Sequence, residues 1–347
     1  MFLFFLSSGM FLGWSLGAND AANVFGTAVG TRMLKFRTAA ILCCIFVIFG
    51  AVISGAGASH TLGKLGAVNA VAGAFVVAFA AALSVYLMIR IRYPASTSQA
   101  IVGAIVGWNL FSGTTTDPAS LLKIVSSWVI CPVLSGIIAV ISYKIIAIFI
   151  SRSKIHMFRL DEGTRIGLIL VGAFGSFSLG ANNIANVVGV FLPVSPFQEI
   201  SLLGFQVSPA QQLFFLGSIA ISIGVVTYSK RVMGTVGKGI FKLSPVMALV
   251  AVWSQSVVLF LFASERLEQL LLNAGLPTLP LVPVSSSQAI VGAVVGMGLM
   301  KGRHNIQWRT VGGIATGWIT TPIFAGLISF ILLFIIQNVF QQTVFLP

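Results

Sequence analysis

The chain consists largely of apolar runs about as long as a membrane is thick. Three of these runs read AAILCCIFVIFGAVISGAG, VNAVAGAFVVAFAAALSVYLMI and LFFLGSIAISIGVVTY. A helix of about 20 apolar residues crosses the roughly 30 Å of hydrocarbon in a bilayer. Only 8% of the residues are charged and the mean hydropathy is +1.03, which excludes a soluble globular domain. The sequence therefore predicts an all-α polytopic membrane protein that is surrounded by a lipid bilayer.

Basic residues lie in clusters between the apolar runs and predict the orientation of the chain. The net charge is +13, which in a soluble protein suggests nucleic acid, but here the charges flank membrane segments, so no nucleic-acid partner is expected. The clusters are Arg32, Lys35 and Arg37; Arg90 and Arg92; Arg152, Lys154, Arg159 and Arg165; Lys230, Arg231, Lys238 and Lys242; and Lys301, Arg303 and Arg309. The positive-inside rule makes these loops cytoplasmic and places both termini outside the cell.

The two halves of the chain resemble each other in three ordered stretches. FLGWSLGANDAANVFG from Phe11 matches FGSFSLGANNIANVVG from Phe174, and STSQAIVGAIVG from Ser96 matches SSSQAIVGAVVG from Ser285. The third pair is WVICPVLSG and WITTPIFAG. The charge pattern gives each half an odd number of crossings, which inverts the second half relative to the first, as in many secondary transporters. We predict a first transmembrane repeat over 1–150, a basic cytoplasmic linker over 151–165 and an inverted repeat over 166–347.

The first repeated motif, GANDAAN or GANNIAN, places amide side chains on one face of a helix. Asn residues four apart share a face, and Asp20 or Asn183 lies beside them. Carboxylate and carboxamide oxygens suit a hard cation. We expect the glycine that precedes each motif, Gly17 or Gly180, to let the backbone leave helical geometry. Helix packing alone is the alternative for a single Asn, but a duplicated cluster with an intramembrane carboxylate favours a functional site.

The second repeated motif predicts the start of a helix that binds an anion. Pro94 or Pro283 precedes a run of hydroxyl side chains and then an apolar helix. Hydroxyls and free N–H groups at a helix N-terminus attract anions, although capping of the helix is the alternative role for the hydroxyls. The GxxxG pairs in both copies are expected to allow close helix packing, and both apolar segments are short for a full membrane span.

Neither motif contains Lys or Arg to balance an anion beside Asp20, which implies symport with inorganic cations. Sodium fits oxygen ligands, and protons are the competing choice. The three histidines, His60, His156 and His304, lie near loops and are expected to be solvated and not to relay protons.

GANDAAN and PASTSQAIVG, each with a second copy, resemble the signatures of the inorganic phosphate transporter family, the type III sodium-phosphate cotransporters. The resemblance covers both halves and implies two inverted repeats with broken helices and re-entrant hairpins. It implies phosphate contacts from Ser96, Thr97, Ser98, Ser285, Ser286, Ser287, Asn19 and Asn182, and sodium ligands from Asp20, Asn23, Asn183 and Asn186. We also expect Gln99 and Gln288 to contact phosphate, directly or from the next shell, because glutamine can donate a hydrogen bond to a phosphate oxygen. Many relatives have Asp at the position of Asn183 and His at the positions of Gln99 and Gln288. The loss of that His removes a proton route and favours sodium.

The sequence therefore predicts a sodium-coupled symporter that carries inorganic phosphate into the cell across the plasma membrane. The alternatives are a proton-coupled phosphate or sulfate symporter of the same family and a passive anion channel. An enzyme is not expected, because no His, Cys or carboxylate cluster is placed for catalysis. No cofactor is expected apart from the transported sodium, and packed apolar stripes allow a homodimer.

Overall fold

A computed structural model describes residues 1–66, 68–90, 95–153, 156–202, 204–236, 243–302 and 306–346. The interpretations that concern Arg92, Pro94, Lys154, Lys238, Lys242, Arg303 and His304 lie outside these residues. His60 and His156 are exposed, as expected.

Over the described residues the chain forms thirteen α-helices and one small β-hairpin. The helices are α1 Phe2–Gly30, α2 Phe36–Ser54, α3 Ala56–Leu65, α4 Val71–Arg90, α5 Thr97–Ser112, α6 Pro118–Ser153, α7 Met157–Val188, α8 Pro209–Thr227, α9 Ser229–Val236, α10 Pro245–Leu261, α11 Glu265–Asn273, α12 Ser286–Lys301 and α13 Trp308–Asn338. A 3₁₀ turn, Gly189–Phe191, follows α7. The hairpin pairs β1 Ile200–Leu202 antiparallel with β2 Phe205–Val207, with Ile200 opposite Val207.

Seven of the described helices are long and apolar enough to cross a membrane: α1, α2, α4, α6, α7, α8 and α13. The pair α10 and α11 makes an eighth candidate, bent by 72° at the break between its two helices. Helices α5 and α12 have 16 residues each, or about 24 Å of length, and are too short to span alone. The protein is an all-α polytopic membrane protein, as the apolar runs predicted.

Both helices that carry the asparagine motifs are continuous, so the expected departure from helical geometry at Gly17 and Gly180 is wrong. The glycines instead allow two backbones to touch. A Cβ atom at Gly17 would overlap the carbonyl oxygen of Ile221 in α8, and one at Gly180 would overlap that of Val47 in α2. Glycine is therefore required for helix contact and not for backbone freedom at these positions.

The GxxxG helices α5 and α12 pack on helices of the opposite half of the chain. Helix α5 lies along α13 and helix α12 lies along α6. A Cβ at Gly103 would overlap the Pro322 carbonyl oxygen, and one at Gly292 would overlap that of Pro132. The prediction of close packing at these glycines is confirmed. Pro132 and Pro322 lie inside helices that continue past them.

Helices α5 and α12 start inside the protein and end at opposite faces of it. Near the end of α5, the Asn109 amide donates to Thr116 in the loop that leads into α6, at 2.8 Å. At the end of α12, Lys301 lies over the ring of Tyr143. Tyr143 is roughly 38 Å along α6 from Pro118, the first residue of that helix. The N-termini of α5 and α12 consequently point towards each other. The inverted orientation of two repeats and their boundaries remain predictions.

We expect Gly103→Ala to lower the free energy of unfolding by roughly 1–3 kcal/mol or more, because the added methyl group meets the Pro322 backbone and not a movable side chain. Gly312→Ala is the matched control, since a Cβ at Gly312 of α13 has no neighbour within 4 Å. Thermal unfolding in detergent measures both variants. Equal melting temperatures for the two would contradict tight packing of α5 on α13.

Candidate functional site

Helices α1 and α7 cross in opposite directions in the interior and carry the two motifs at the same depth. A Cβ at Gly13 of α1 would lie 3.1 Å from Val187 Cγ1 of α7. Further along α1, Val24 Cγ1 would lie 3.1 Å from a Cβ at Gly175. These two contacts bracket both asparagine motifs, so the motifs face the same region of the protein.

The motif in α1 contacts the N-terminus of α12. The Asn23 amide donates to the Ser286 hydroxyl at 3.0 Å, and Ser286 is the first residue of α12. One turn earlier on α1, the Asp20 carboxylate accepts from the Asn19 amide at 2.8 Å. Asp20 is 3% exposed, so the only carboxylate of the two motifs lies in the interior.

The motif in α7 contacts the N-terminus of α5. The Asn186 amide donates to the Ser98 hydroxyl at 2.8 Å and to the Asn183 carbonyl oxygen at 3.2 Å. The Ser98 hydroxyl also lies 3.4 Å from that Asn183 oxygen. Each asparagine motif thus contacts the hydroxyl motif of the other half, a pairing that the linear sequence does not contain.

Ser96 and Ser285 cap the two short helices. The Ser96 hydroxyl accepts from the Gln99 backbone N–H at 3.3 Å, and the Ser285 hydroxyl accepts from that of Gln288 at 3.3 Å. The prediction that both motifs start helices is confirmed. The first N–H groups of a helix lack partners within the helix, so these two termini offer donors and the positive end of the helix dipole.

The remaining hydroxyl residues of both helix starts are also buried. Thr97 lies beside Ser98 in the first turn of α5, and Ser287 contacts Ser285 through their hydroxyl oxygens at 2.9 Å. The two helix starts therefore present several hydroxyl groups in one interior region.

Asn182 holds the backbone that enters α12. Its amide nitrogen donates to the carbonyl oxygens of Val282, at 3.1 Å, and of Leu259, at 3.4 Å. Its oxygen accepts from the Val284 N–H at 2.8 Å. Asn182 is therefore a positioning residue for the α12 terminus, and its contact with phosphate remains a prediction. Asn19, its counterpart in α1, is partly exposed.

Several buried polar atoms at the two helix starts and in the α7 motif have no hydrogen-bond partner among the described residues. They are the oxygens of Gln99, Gln288 and Asn186 and the amide nitrogen of Asn183. Buried polar groups are normally paired, and leaving one unpaired costs about 1–3 kcal/mol. Unpaired donors and acceptors in one interior region are the arrangement expected of a site that binds both an anion and a cation.

Gln255 is a fully buried amide in α10 that the sequence motifs did not identify. The repeats gave no signal there, because no matched stretch includes it. The available signal was a glutamine, flanked by two serines, in the otherwise apolar run VMALVAVWSQSVVLFL.

We expect Asn182→Leu to destabilise the protein by about 1–3 kcal/mol, because the Val284 N–H and the Val282 carbonyl oxygen lose their buried partner. Asn338→Leu is the control, since the Asn338 amide bonds only to the exposed end of its own helix among the described residues. The melting temperatures of both variants in detergent provide the test. An Asn182 variant as stable as the control would contradict the positioning role.

The phosphate transporter family matches the chain over residues 16–329 and 275–345. A protein of Methanocaldococcus jannaschii, described as a candidate phosphate permease, is 28% identical over 319 residues, which cover 91% of this chain and 92% of the relative. The chloroplastic inorganic phosphate transporter 2-1 of Arabidopsis thaliana is 25% identical and covers 92% of this chain and 69% of the relative.

The fold is similar to that of a solved structure described as the sodium-dependent phosphate transporter. The TM-score is 0.73 at 24% identity, with 96% of this chain and 99% of the other covered. The matched family is one of transporters and not of enzymes. This chain belongs to the phosphate transporter family.

Proposed function

We propose that the protein is a sodium-coupled symporter that carries inorganic phosphate into the cell by alternating access. The observation that carries this proposal is the contact of each asparagine motif with the helix N-terminus of the other half, through Asn23 and Ser286 and through Asn186 and Ser98. Transporters built from two repeats bind their substrates near the midplane, where the repeats meet.

Phosphate is proposed to bind between the starts of α5 and α12. The hydroxyls of Thr97, Ser98, Ser286 and Ser287, the amides of Gln99 and Gln288 and the N–H groups of both helices are hydrogen-bond donors for its oxygens. Asp20 favours phosphate over sulfate, because protonated phosphate can donate a hydrogen bond to a carboxylate and the sulfate dianion cannot.

Sodium is proposed to bind at the oxygen-rich motifs, with ligands from Asp20, Asn23, Asn183 and Asn186. A buried anion beside a buried carboxylate needs a compensating cation, and these motifs contain no Lys or Arg. The solved transporter of similar fold is described as sodium-dependent, which supports this choice of ion. Asn183 stands where the first copy has Asp20. The two motifs therefore differ in charge, and only the α1 motif offers a carboxylate to a cation.

The proposed orientation places the protein in the plasma membrane with both termini outside and the linker 151–165 in the cytoplasm. In the structure, Phe2 packs edge-on against Phe191 and Phe197, beyond the end of α7. The tail after α13 meets the end of α5, where the Trp108 indole donates to Val344 at 3.0 Å. A homodimer remains a proposal.

Phosphate uptake into liposomes under an inward sodium gradient tests this function. Parallel arms replace the sodium gradient with a proton gradient, or add excess sulfate. Uptake that requires sodium and persists in sulfate supports the proposal. Uptake driven by protons would contradict sodium as the coupling ion. Uptake blocked by sulfate would contradict phosphate as the selective substrate. Uptake that follows voltage without sodium would contradict symport.

We expect Asp20→Asn to raise the half-saturating sodium concentration about tenfold or more, because the substitution removes the charge and nearly preserves the shape. Asp161→Asn is the control, since Asp161 is an exposed carboxylate in the early, polar part of α7. Uptake measured over a range of sodium concentrations gives the result. Unchanged sodium activation in the Asp20 variant would remove Asp20 from the cation site.

We expect Ser98→Ala and Ser287→Ala each to raise the phosphate KM, because each substitution leaves a phosphate oxygen without one donor, at a cost of about 1–3 kcal/mol. Ser7→Ala is the control, because the Ser7 hydroxyl bonds only to the backbone of its own helix among the described residues. Phosphate uptake at saturating sodium is the measurement. If a variant with both substitutions bound phosphate with wild-type affinity, phosphate would bind elsewhere.

A further inference from the structure

Helix α10 contains a buried amide whose polar atoms have no partner among the described residues. Gln255 is 0% exposed, and neither its oxygen nor its nitrogen makes a hydrogen bond there. Its neighbours Ser254 and Ser256 are equally buried, but their hydroxyls donate to Val250 and Val252 of the same helix at 2.8 and 2.6 Å. Gln255 therefore differs from them in needing a partner outside its own helix.

Gln255 lies next to the face of α10 that packs on α7. Ser256 and Val252 both meet the position of Gly175, where a Cβ would lie 2.6 Å from Ser256 Oγ and 3.6 Å from Val252 Cγ1. Further along the same face, the Leu259 carbonyl accepts from the Asn182 amide at 3.4 Å. Gln255 is three residues after Val252 and four before Leu259, so it is their neighbour on the helix surface and lies at the edge of this contact face. It lies between the levels of Gly175 and Asn182.

Asp20 of α1 lies at the same depth. Val24 also packs at the position of Gly175, and Asp20 is one turn before Val24 on α1. Helices α1 and α7 run in opposite directions. The stretch of α7 from Gly175 to Asn182 therefore lies beside the stretch of α1 that runs from Val24 back past Asp20. The unpaired amide and the buried carboxylate therefore approach the same region from different helices.

We infer that the Gln255 side-chain oxygen is a ligand of the cation that binds at Asp20, an inference that rests on the proposed sodium coupling. Hard cations take several oxygen ligands, and carboxylate and carbonyl oxygens are the usual ones. The amide nitrogens of Asn19 and Asn23 are already bonded, to Asp20 and Ser286. The negative charge of Asp20 at this depth favours a cation over an anion as the partner of Gln255.

Two substitutions distinguish a cation ligand from an anion donor. Gln255→Leu keeps a similar volume without the oxygen, and we expect the half-saturating sodium concentration to rise about tenfold or more while the phosphate KM at saturating sodium stays unchanged. Gln255→Glu keeps the oxygen and adds a negative charge, so we expect sodium activation at wild-type or lower concentrations. Gln337→Leu is the matched control, because the Gln337 oxygen is also buried and unpaired among the described residues but lies at the far end of α13.

Uptake into liposomes and sodium-induced changes in tryptophan fluorescence of the purified protein are the two measurements, and a single symmetric size-exclusion peak shows that each variant folds. Unchanged sodium activation in Gln255→Leu would overturn the inference, as would a Gln255→Glu variant that loses phosphate affinity while its sodium activation stays normal. Wild-type uptake without sodium dependence would instead refute the proposed function, and the inference with it. The wild-type measurement therefore distinguishes failure of the inference about Gln255 from failure of the proposed sodium coupling.

Discussion

Direct contact between helix backbones at glycine positions holds this protein together. In a bilayer the hydrophobic effect does not drive helices together, so close packing at small residues takes its place. Gly17 lies against α8 and Gly180 against α2, while Gly103 and Gly292 lie against the helices that contain Pro322 and Pro132. Each of these contacts joins an element of one half of the chain to an element of the other. The helices that carry the polar motifs are fixed in place by these contacts.

The packing of helices from one half against helices of the other also explains how a mostly apolar protein contains a polar centre. The two short helices end at opposite faces and begin in the interior, where their unpaired N–H groups meet the amides and the carboxylate of α1 and α7. Asn23 with Ser286, and Asn186 with Ser98, are the hydrogen bonds that connect them. The polar groups partly satisfy one another, and the atoms that remain unpaired among the described residues are those available to a ligand.

Residues of the same motif have different roles in the structure. Asn182 and Asn186 are four residues apart on one helix, yet Asn182 bonds to the backbone near Val284 while Asn186 bonds to Ser98. Gly17 looked like a point of backbone freedom, and it proved to be a point of helix contact. Sequence patterns identified the polar residues, but the partner of each side chain depends on which helix lies beside it.

The sequence by itself determined the membrane environment, the helical class, the two helix starts and most of the polar residues, because hydropathy, capping residues and repeated motifs act over short stretches of chain. Only the tertiary structure decided that α1 and α7 stay continuous, that each motif contacts the opposite half and that Gln255 lies at about the same depth as Asp20. The physical reason is that these features arise from contacts between helices distant in sequence. Such contacts depend on how the helices pack, which local propensity does not specify.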